Sequence, residues 1–366
     1  MLISELLQQL ETYAPFALAM DWDNVGLLIG DPGREATRAL ITLDVTPNAV
    51  QKAVAMGADL ILSHHPLIFR PLSKITDPLL LALLENRIAV ICLHTNLDVA
   101  PQGVNQALAA ALGLEATEIL SAEQGGKWYH LSVAAPVSHS EAIAAAAGDA
   151  GAGRIGNYAR CFSQHEVTGA WTPLPGARPY IGSRESSATQ TETELEFMVD
   201  EAVLPAVLQA VKSSHPYETP LLYYFPVSNA NPAYGLGLVG RFPESLNLLQ
   251  SVELVRARLH CPRPRLWTAG RDPQSRAQRI AVCGGAGSSI LKQAARSADI
   301  VITGDIGYHH LLESAIPIID AGHFYTEYPA LESMHRLLVE CGVSCEVLPM
   351  QEHEYSRNLL EQGWEG

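Results

Sequence analysis

Side chains that commonly bind metal ions form three clusters in this sequence, and each cluster follows an apolar run. The clusters are His64 with His65, His94 with Asp98, and His323 with Glu327. The apolar runs are typical of strands in a parallel sheet, and ligands collect at the carboxyl edge of such sheets. Histidines that serve only a core show no such preference. The pattern therefore predicts a metal site built from several strand ends.

The adjacent pair His64 and His65 indicates two metal ions rather than one. Successive side chains of an extended segment diverge, so two imidazoles seldom close on one tetrahedral ion. Two ions about 3.5–4 Å apart can each take one histidine and share a carboxylate. Histidine and carboxylate ligands favour Zn, Fe, Mn or Co. Pro329 suits the first position of a helix, which places His323 and Glu327 on the turn before that helix.

Further polar side chains fall at the same predicted edge of the sheet. The position of His94 suits two roles equally well, that of a metal ligand and that of a residue that hydrogen-bonds to a metal ligand. The candidates for proton transfer, all at strand ends on this rim, are His94, Asp44 and Asp305. His309 and His310 begin a predicted helix, where surface or capping roles are expected. The sequence does not identify which residue is the general base.

The glycine-rich run CGGAGSS, residues 283–289, follows a predicted strand and opens a helix. Backbone N–H groups in such a turn can bind an anion such as phosphate. Tight packing explains the glycines equally well, because the run matches no full nucleotide-binding motif.

Strands alternate with helices in the first 120 residues and again after residue 279, which predicts an α/β fold with mostly parallel sheets. The two stretches also match each other: DLILS at 59–63 falls on DIVIT at 299–303, an offset of 240, and Asp98 falls on Glu327, an offset of 229. We interpret this as an internal repeat of β-α-β units. The competing explanation is that any two such units look alike.

Residues 127–231 predict an inserted α+β domain. Their order is β-α-β-β-α-β, the ferredoxin-like unit, and the segment 173–193 is rich in Gly, Pro, Ser and Thr, which predicts a mobile loop. The polar segments EQGGK (123–127) and NANPAYGLG (229–237) flank this region. We therefore predict a discontinuous three-layer α/β domain, residues 1–126 and 232–366, that is split by a ferredoxin-like domain, residues 127–231.

Composition excludes several classes of protein. The chain has 24 Lys and Arg against 39 Asp and Glu, a net charge of −15, which opposes broad binding to nucleic acid or anionic lipid. No run reaches the roughly 20 apolar residues of a membrane helix, and the start MLISELLQQL predicts an amphipathic helix rather than a signal peptide. The six cysteines include no CxxC pair and indicate reduced thiols. We expect a soluble cytoplasmic protein with no nucleic-acid or membrane partner.

Five segments resemble motifs of a known family, the dinuclear-metal GTP cyclohydrolase I type 2 homologues, also known as Ngg-interacting-factor-three-like proteins. The segments are WDNVGLLIGDP (22–32), LSHHPLIF (62–69), HTNLDVAPQGVNQAL (94–108), TGDIGYHH (303–310) and DAGHFYTE (320–327). The resemblance runs in order along nearly the whole chain. One departure is GHFYTE, where many members read GHHATE, although the spacing from His323 to Glu327 is kept.

The resemblance implies a ligand set, an assembly and a type of inserted domain. The implied ligands of two divalent metal ions are His64, His65, Asp98, His323 and Glu327. Members form toroidal homohexamers, trimers of dimers, with the metal sites facing an inner cavity. The insert resembles that of longer bacterial members through GRIGNYARCFS (153–163), PYIGS (179–183) and SHPYETP (214–220). That insert is similar in fold to the trimeric nitrogen-regulatory and copper-tolerance proteins.

The resemblance further implies a metal-dependent hydrolase in which activated water attacks C8 of the GTP purine and opens the imidazole ring. A phosphoesterase-type hydrolase fits the same metal pair, because a fold alone does not define a substrate. The alternative from another class is a non-catalytic protein for metal storage or delivery, or a regulator whose insert senses a small molecule. His215 and Glu218 motivate the sensing alternative, and a structural turn before Pro220 explains these residues equally well.

Overall fold

The chain forms two compact units in the structure, a computed structural model that describes residues 1–122 and 126–358. The first unit contains residues 1–122 and 232–358, and the second contains residues 126–231. Three residues of the predicted linker EQGGK, 123–125, lie outside the described residues. Each unit has a buried apolar core of its own.

The strands and helices are numbered in the order in which they follow one another along the chain. The strands are Gly26–Ile29 (β1), Arg38–Thr42 (β2), Leu60–Ser63 (β3), Ala89–Cys92 (β4), Glu115–Ser121 (β5), Lys127–Pro136 (β6), Ser163–Trp171 (β7), Ala188–Asp200 (β8), Leu222–Ala230 (β9), Leu236–Asn247 (β10), Arg265–Trp267 (β11), Arg276–Ala286 (β12), Ile300–Gly304 (β13), Ile318–Asp320 (β14) and Ser344–Val347 (β15). The α-helices are Ile3–Tyr13 (α1), Pro47–Ala55 (α2), Pro78–Glu85 (α3), Thr95–Val99 (α4), Val104–Leu112 (α5), Ser140–Asp149 (α6), Leu204–Ser214 (α7), Leu248–Leu259 (α8), Leu291–Ser297 (α9), Tyr308–Glu313 (α10), His323–Glu327 (α11), Ala330–Glu340 (α12) and Glu354–Asn358 (α13). Within the described ranges, none of these helices is both long and apolar enough to cross a bilayer.

The first unit contains two sheets that share a plan. One has the strand order β1-β4-β3-β2-β15, and the other has the order β11-β14-β13-β12-β10-β5. In each sheet three adjacent strands run parallel, β2-β3-β4 or β12-β13-β14, and an antiparallel strand, β1 or β11, pairs with the last of them. The mixed α/β fold that the alternation of strands and helices predicts is confirmed.

The parallel strands are buried on both faces. In β3, Leu60 and Leu62 face a core that both sheets share, and Ile61 faces a second core on the other side of the sheet. The shared core also contains the apolar faces of α1, α5, α8 and α12, whereas α2 and α3 cover the other face of the first sheet. Such burial explains why these strands read as continuous apolar runs in the sequence.

Local signals define the helix ends of this unit. The Thr46 hydroxyl accepts a backbone N–H in the first turn of α2, and Asp77 does the same for α3. Pro47 and Pro78 occupy first helical positions, where the missing N–H costs no helical hydrogen bond. Helix α5 ends at Leu112 and is followed by Gly113, whose φ of 72° lies in the left-handed region that favours glycine.

The second unit folds as β6-α6-β7-β8-α7-β9, and its four strands form an antiparallel sheet in the order β7-β8-β6-β9. Residues such as Leu131 and Phe197 pack on the two helices. The predicted loop over 173–193 is wrong at its end, because β8 begins at Ala188 and pairs with β7. A polar stretch can form this strand because only one face of the sheet packs on helices and requires apolar residues. The other face accepts polar residues.

Replacing Leu62 with alanine tests the shared core. Leu62 is 0% exposed, so we expect Leu62→Ala to lower the free energy of unfolding by about 2–5 kcal/mol. The control is Leu312→Ala on α10, where the leucine is 55% exposed and the expected change is about 0.5 kcal/mol or less. Urea unfolding followed by circular dichroism compares the two variants with the wild type. Equal midpoints for the two variants contradict the assignment of Leu62 to the core.

Candidate metal centre

The five predicted metal ligands lie together in the first unit, at the carboxyl ends of its parallel strands. His64 and His65 directly follow β3, Asp98 lies in α4 after β4, and α11 after β14 carries the other two. Contacts of less than 4 Å join all five in a continuous set: His64, His65, Asp98, His323 and Glu327. The structure therefore brings ligands from both sheets to one place.

Two local predictions are wrong. The sequence pattern places Asp98 at the end of a strand, but β4 ends at Cys92 and Asp98 belongs to the short helix α4. The side chain of Asn96 accepts the N–H of His94 and turns the chain there. The pattern also places the last cluster on a turn before a helix, but residues 323–327 form the helix α11 themselves. Residues four apart in a helix share a face, which brings the two ligands of α11 together.

Glu327 lies at the centre of the cluster. Its Oε1 is 3.5 Å from Nε2 of His64 and 3.0 Å from Nε2 of His323, and its Oε2 is 3.0 Å from Nε2 of His65. Oδ1 of Asp98 is 3.7 Å from Nε2 of His64. His64, His65 and Glu327 each offer a ligand atom, and these three atoms all lie within 4.8 Å of one another. Such a group can hold a metal ion.

Each of the three ligand imidazoles is held through its Nδ1 atom. The partners are Leu93 O for His64 at 2.8 Å, Asp44 Oδ1 for His65 at 2.8 Å and Asp305 Oδ2 for His323 at 2.9 Å. An Nδ1 that donates to an oxygen carries the ring proton, so the lone pair is on Nε2. All three Nε2 atoms face Glu327. Asp44 and Asp305, candidates for proton transfer from the sequence, orient ligand rings in this arrangement.

His94 is held in the same way by a residue that the sequence analysis missed. Its Nδ1 lies 2.8 Å from Oδ1 of Asp23, which also accepts hydrogen bonds from Thr95. Burial raises the pKa of Asp23, but these hydrogen bonds outweigh burial and lower the pKa to about 2. The centre of the His94 ring lies 5.4 Å from that of His64 and 5.5 Å from that of His65. Asp23 belongs to the motif WDNVG, but no spacing rule connects it with residue 94.

Three buried polar atoms of the cluster have no hydrogen-bond partner among residues 1–122 and 126–358. They are Nε2 of His64, Oδ1 of Asp98 and Oε2 of Glu327. A buried polar atom without a partner costs about 1–3 kcal/mol. All three atoms carry lone pairs, and two lone pairs cannot form a hydrogen bond with each other. A cation between the three atoms offsets the cost of burying all of them. These residues fit a bound divalent metal ion.

The carboxylates give the cluster an electrostatic preference for positive charge. Burial lowers the pKa of His65, but the carboxylates of Asp44 and Glu327 outweigh it and raise the pKa to about 10. Burial also lowers the pKa of His323, but the Glu327 carboxylate outweighs burial and raises the pKa of His323 to about 9. Burial raises the pKa of Asp98 to about 6. The site therefore stabilises a cation, whether a proton or a metal ion.

The glycine run at 283–289 provides close packing under this cluster. A Cβ on Gly285 would lie 2.3 Å from Oε1 of Glu327, and one on Gly284 would lie 2.4 Å from the side chain of Val104. The backbone N–H groups of the two glycines donate to Asn105 and Thr326. Since these donors are occupied, the structure favours the packing explanation over an anion site.

The remaining predicted residues lie outside the cluster. His215 and Glu218 belong to the second unit. Nε2 of His215 donates to the Ala134 carbonyl at 2.9 Å, and its Nδ1 accepts the N–H of Tyr217 at 3.1 Å, so both ring nitrogens serve the fold. Burial lowers the pKa of His215. The structural explanation of this histidine is the better supported one.

Known proteins are similar to the chain over nearly its whole length. The model of the family Duf34/NIF3 (NGG1p interacting factor 3) matches residues 1–354. A GTP cyclohydrolase 1 type 2 homolog of Staphylococcus epidermidis is 35% identical over 346 residues, 92% of this chain and 93% of the relative. A protein of the same name from Halalkalibacterium halodurans is 35% identical over 360 residues, covering 95% and 96%. The crystal structure of a Bacillus cereus protein related to NIF3 has a TM-score of 0.73 and 32% identity, covering 94% and 96%.

Replacing Gly285 with alanine tests the metal centre without removing a ligand. The added methyl group would lie 2.3 Å from Oε1 of Glu327 and 3.2 Å from Nε2 of His323. We expect metal affinity to fall about 10- to 100-fold, as when the surroundings of ligands are disturbed. Gly57→Ala is the matched control, because Gly57 has a φ of +66° against +63° for Gly285 and an added Cβ there meets nothing within 4 Å. Elemental analysis after purification without chelators compares the two, and equal metal contents contradict the assignment.

Proposed function

The chain is a member of the DUF34/NIF3 family, and from this premise we propose that it is a hydrolase that works with two divalent metal ions. The observation that carries the proposal is the group of buried lone-pair atoms without partners at the centre of the cluster. The proposed ligands are His64, His65, Asp98, His323 and Glu327. Their nitrogen and oxygen atoms suit Zn, Fe, Mn or Co. When bound, two such ions supply Lewis acidity and lower the pKa of a water molecule towards neutrality.

The two oxygens of Glu327 support a pair of ions rather than a single one. Oε1 faces His64 and His323, whereas Oε2 faces His65, so one carboxylate serves two groups of histidines. Asp98 adds a second carboxylate beside His64. Two ligand carboxylates offset only part of the charge of two divalent ions. The loaded site therefore attracts an anionic substrate although the whole chain carries a charge of −15.

We assign proton transfer to Nε2 of His94. The ring borders two ligand histidines, and its Nδ1 is bound to Asp23, which leaves Nε2 as the basic atom. Asp23 stays ionised and holds the ring in this tautomer. Asp44 and Asp305 orient the ligand rings of His65 and His323 instead.

An exposed aromatic pair beside the cluster supports a planar substrate. Trp22 is 58% exposed, and its ring centre lies 5.7 Å from that of Phe69 and 6.1 Å from that of His94. Aromatic faces of this kind stack on planar rings. A purine nucleotide uses such a surface, whereas a simple phosphoester does not require it. Since relatives carry the name GTP cyclohydrolase 1 type 2 homolog, GTP is the first substrate to test, with attack at C8 opening the imidazole ring.

Turnover by the metal-loaded protein tests the hydrolase proposal. We expect GTP to be consumed with opening of the purine ring, followed by ultraviolet absorbance and chromatography. His65→Ala and Glu327→Ala should lose turnover together with metal, because each removes a ligand. Metal-loaded protein that turns over no nucleotide or phosphoester contradicts the proposal and favours metal storage or delivery. Turnover that survives both substitutions places the reaction elsewhere.

Two further variants separate the proposed roles in the same assay. His94→Ala should keep its metal content and lose about 10²- to 10⁴-fold in kcat, the usual contribution of a proton-transfer residue. A parallel loss of metal would instead identify His94 as a ligand. Trp22→Ala should raise KM for a nucleotide more than it lowers kcat.

We propose that the second unit is a ferredoxin-like domain inserted into a duplicated α/β domain. Its order β-α-β-β-α-β and its sheet order β7-β8-β6-β9 support the first part. The two parallel triplets support the duplication, because β13 begins 240 residues after β3, and β14 begins 229 residues after β4. These are the two offsets that the sequence comparison predicts.

We also propose a homohexamer, a trimer of dimers, in the cytoplasm. The loop between β3 and α3 exposes the apolar side chains of Leu72 and Ile75. Their exposure supports the burial of this loop by another chain. The six cysteines, all of them within the described residues, are thiols rather than disulfides, which suits a reducing compartment.

Light scattering tests the assembly. The chain mass is 39.5 kDa, so a hexamer has about six times that mass. Leu72→Asp and Ile75→Asp together should lower the measured mass, because a charge cannot be buried unpaired in an apolar contact. A wild-type mass near that of one chain contradicts the hexamer.

A further inference from the structure

The second unit contains a pocket of about 430 Å³ that the proposed hydrolase does not use. Gly169 and Trp171 of β7 and Glu192 of β8 line its floor. Glu192 lies three residues before Leu195, which packs on the helices, so its side chain points to the opposite face of the sheet. The loop that joins β7 to β8 and residues 217–221 line its walls.

Three aromatic rings surround part of this pocket. The ring centre of Tyr217 lies 5.7 Å from that of Trp171 and 6.1 Å from that of Tyr180. The faces of such rings carry negative potential and attract cations, and several rings together form the cages that recognise organic ammonium groups. The backbone N–H of Arg178 donates to Oε1 of Glu218 at 3.0 Å, which ties the loop to the 217–221 segment.

Glu192 places a carboxylate at the floor of the pocket, and the side chain is only 5% exposed. The Tyr217 hydroxyl donates to its Oε1. Its Oε2 lies over Gly169, and a Cβ added to this glycine would be 2.4 Å from Oε2. Because glycine has no side chain, there is room beside this oxygen. A buried carboxylate is unfavourable unless a positive charge compensates it.

Among the described residues of the second unit, no Lys, Arg or His forms an ion pair with Glu192. The ion pairs there join other residues, His130 with Glu196, Arg160 with Asp149, and His165 with Glu194. His215 is close enough to interact with Glu192, but hydrogen bonds to the backbone occupy both of its ring nitrogens and burial disfavours its charged form. Arg178 also lines the pocket, but no ion pair joins it to Glu192. A cation that enters the pocket can therefore supply the charge that Glu192 lacks.

We propose that this pocket binds a small organic cation, an ammonium group on an aromatic or aliphatic body, with Glu192 as the counter-charge. The rings of Trp171, Tyr180 and Tyr217 surround the cation, and Leu174 and Leu221 contact its apolar body. Glu218 holds the loop in place and acts as a positioning residue. The site makes the second unit a ligand-sensing module. Because all of these residues belong to the second unit, the proposal does not depend on the hydrolase function.

Titration calorimetry of the full chain with matched probes tests this site. The cationic probes are phenethylamine and benzyltrimethylammonium, and the neutral probe is 2-phenylethanol, which has the same body as phenethylamine without the charge. We expect saturable binding of both cations, at least tenfold tighter than binding of the alcohol. Glu192→Gln keeps the shape and an acceptor for Tyr217, so it should lower cation affinity at least tenfold and leave the alcohol unchanged.

The matched control is Glu194→Gln, which removes a charge from the same strand face outside the pocket, where Glu194 contacts Ser132 and His165. It should bind the cations like the wild type. Tyr180→Leu is a second variant on the exposed loop and should lower cation affinity at least fivefold, which keeps the test valid if Glu192→Gln does not fold. Equal affinity for amine and alcohol, wild-type affinity in a folded Glu192→Gln, or no saturable binding overturns the proposal.

Discussion

The burial of one carboxylate, that of Glu327, is the constraint on which the architecture of the first unit depends. Glu327 is 3% exposed and faces the Nε2 atoms of three histidines. Burial raises the pKa of this carboxyl, yet the nearby imidazoles lower it well below its ordinary value. Helix α11 reaches this position only because glycines stand where it approaches β12 and β13: a Cβ on Gly304 would lie 2.6 Å from the backbone of α11. Strand packing and site chemistry are therefore parts of one arrangement.

The same constraint explains why the site needs both sheets. His64 and His65 follow a strand of the first sheet, whereas Glu327 follows a strand of the second. In the chain, these halves are separated by the second unit, but in the structure they share an apolar core. Neither half by itself contributes all five of the proposed ligands. The shared core thus holds the distance between imidazoles and carboxylate, which neither half can set alone.

Residue types and local patterns predict the parallel strands of the first unit and the convergence of ligand-type residues at their ends. They do not predict the strands β1, β5, β10, β11 and β15, or the contacts that orient the ligands. Buried parallel strands read as apolar runs such as DLILS, and ligand-type residues that follow such runs converge at one edge. The five-residue helices that carry Asp98 and Glu327 are too short to show a helical period. The bond between Asp23 and His94 joins residues 71 positions apart, so only the tertiary structure reveals it. The sequence pattern includes Glu192 in a predicted polar loop. Its burial depends on contacts with Tyr217 and with a glycine in another strand, which the local sequence does not show.

The two units bury a carboxylate in different surroundings, and the surroundings select different cations. Around Glu327 the neighbours are imidazole nitrogens with lone pairs, which bind transition-metal ions directly. The pocket that Glu192 lines is also lined by the rings of Trp171, Tyr180 and Tyr217, and aromatic faces attract a diffuse positive charge without forming coordinate bonds. A hydrated metal ion gains little from such faces, and a bulky ammonium group cannot be coordinated by imidazoles. The negative charge is common to both sites, so the walls, rather than the net charge of the chain, determine which cation each site prefers.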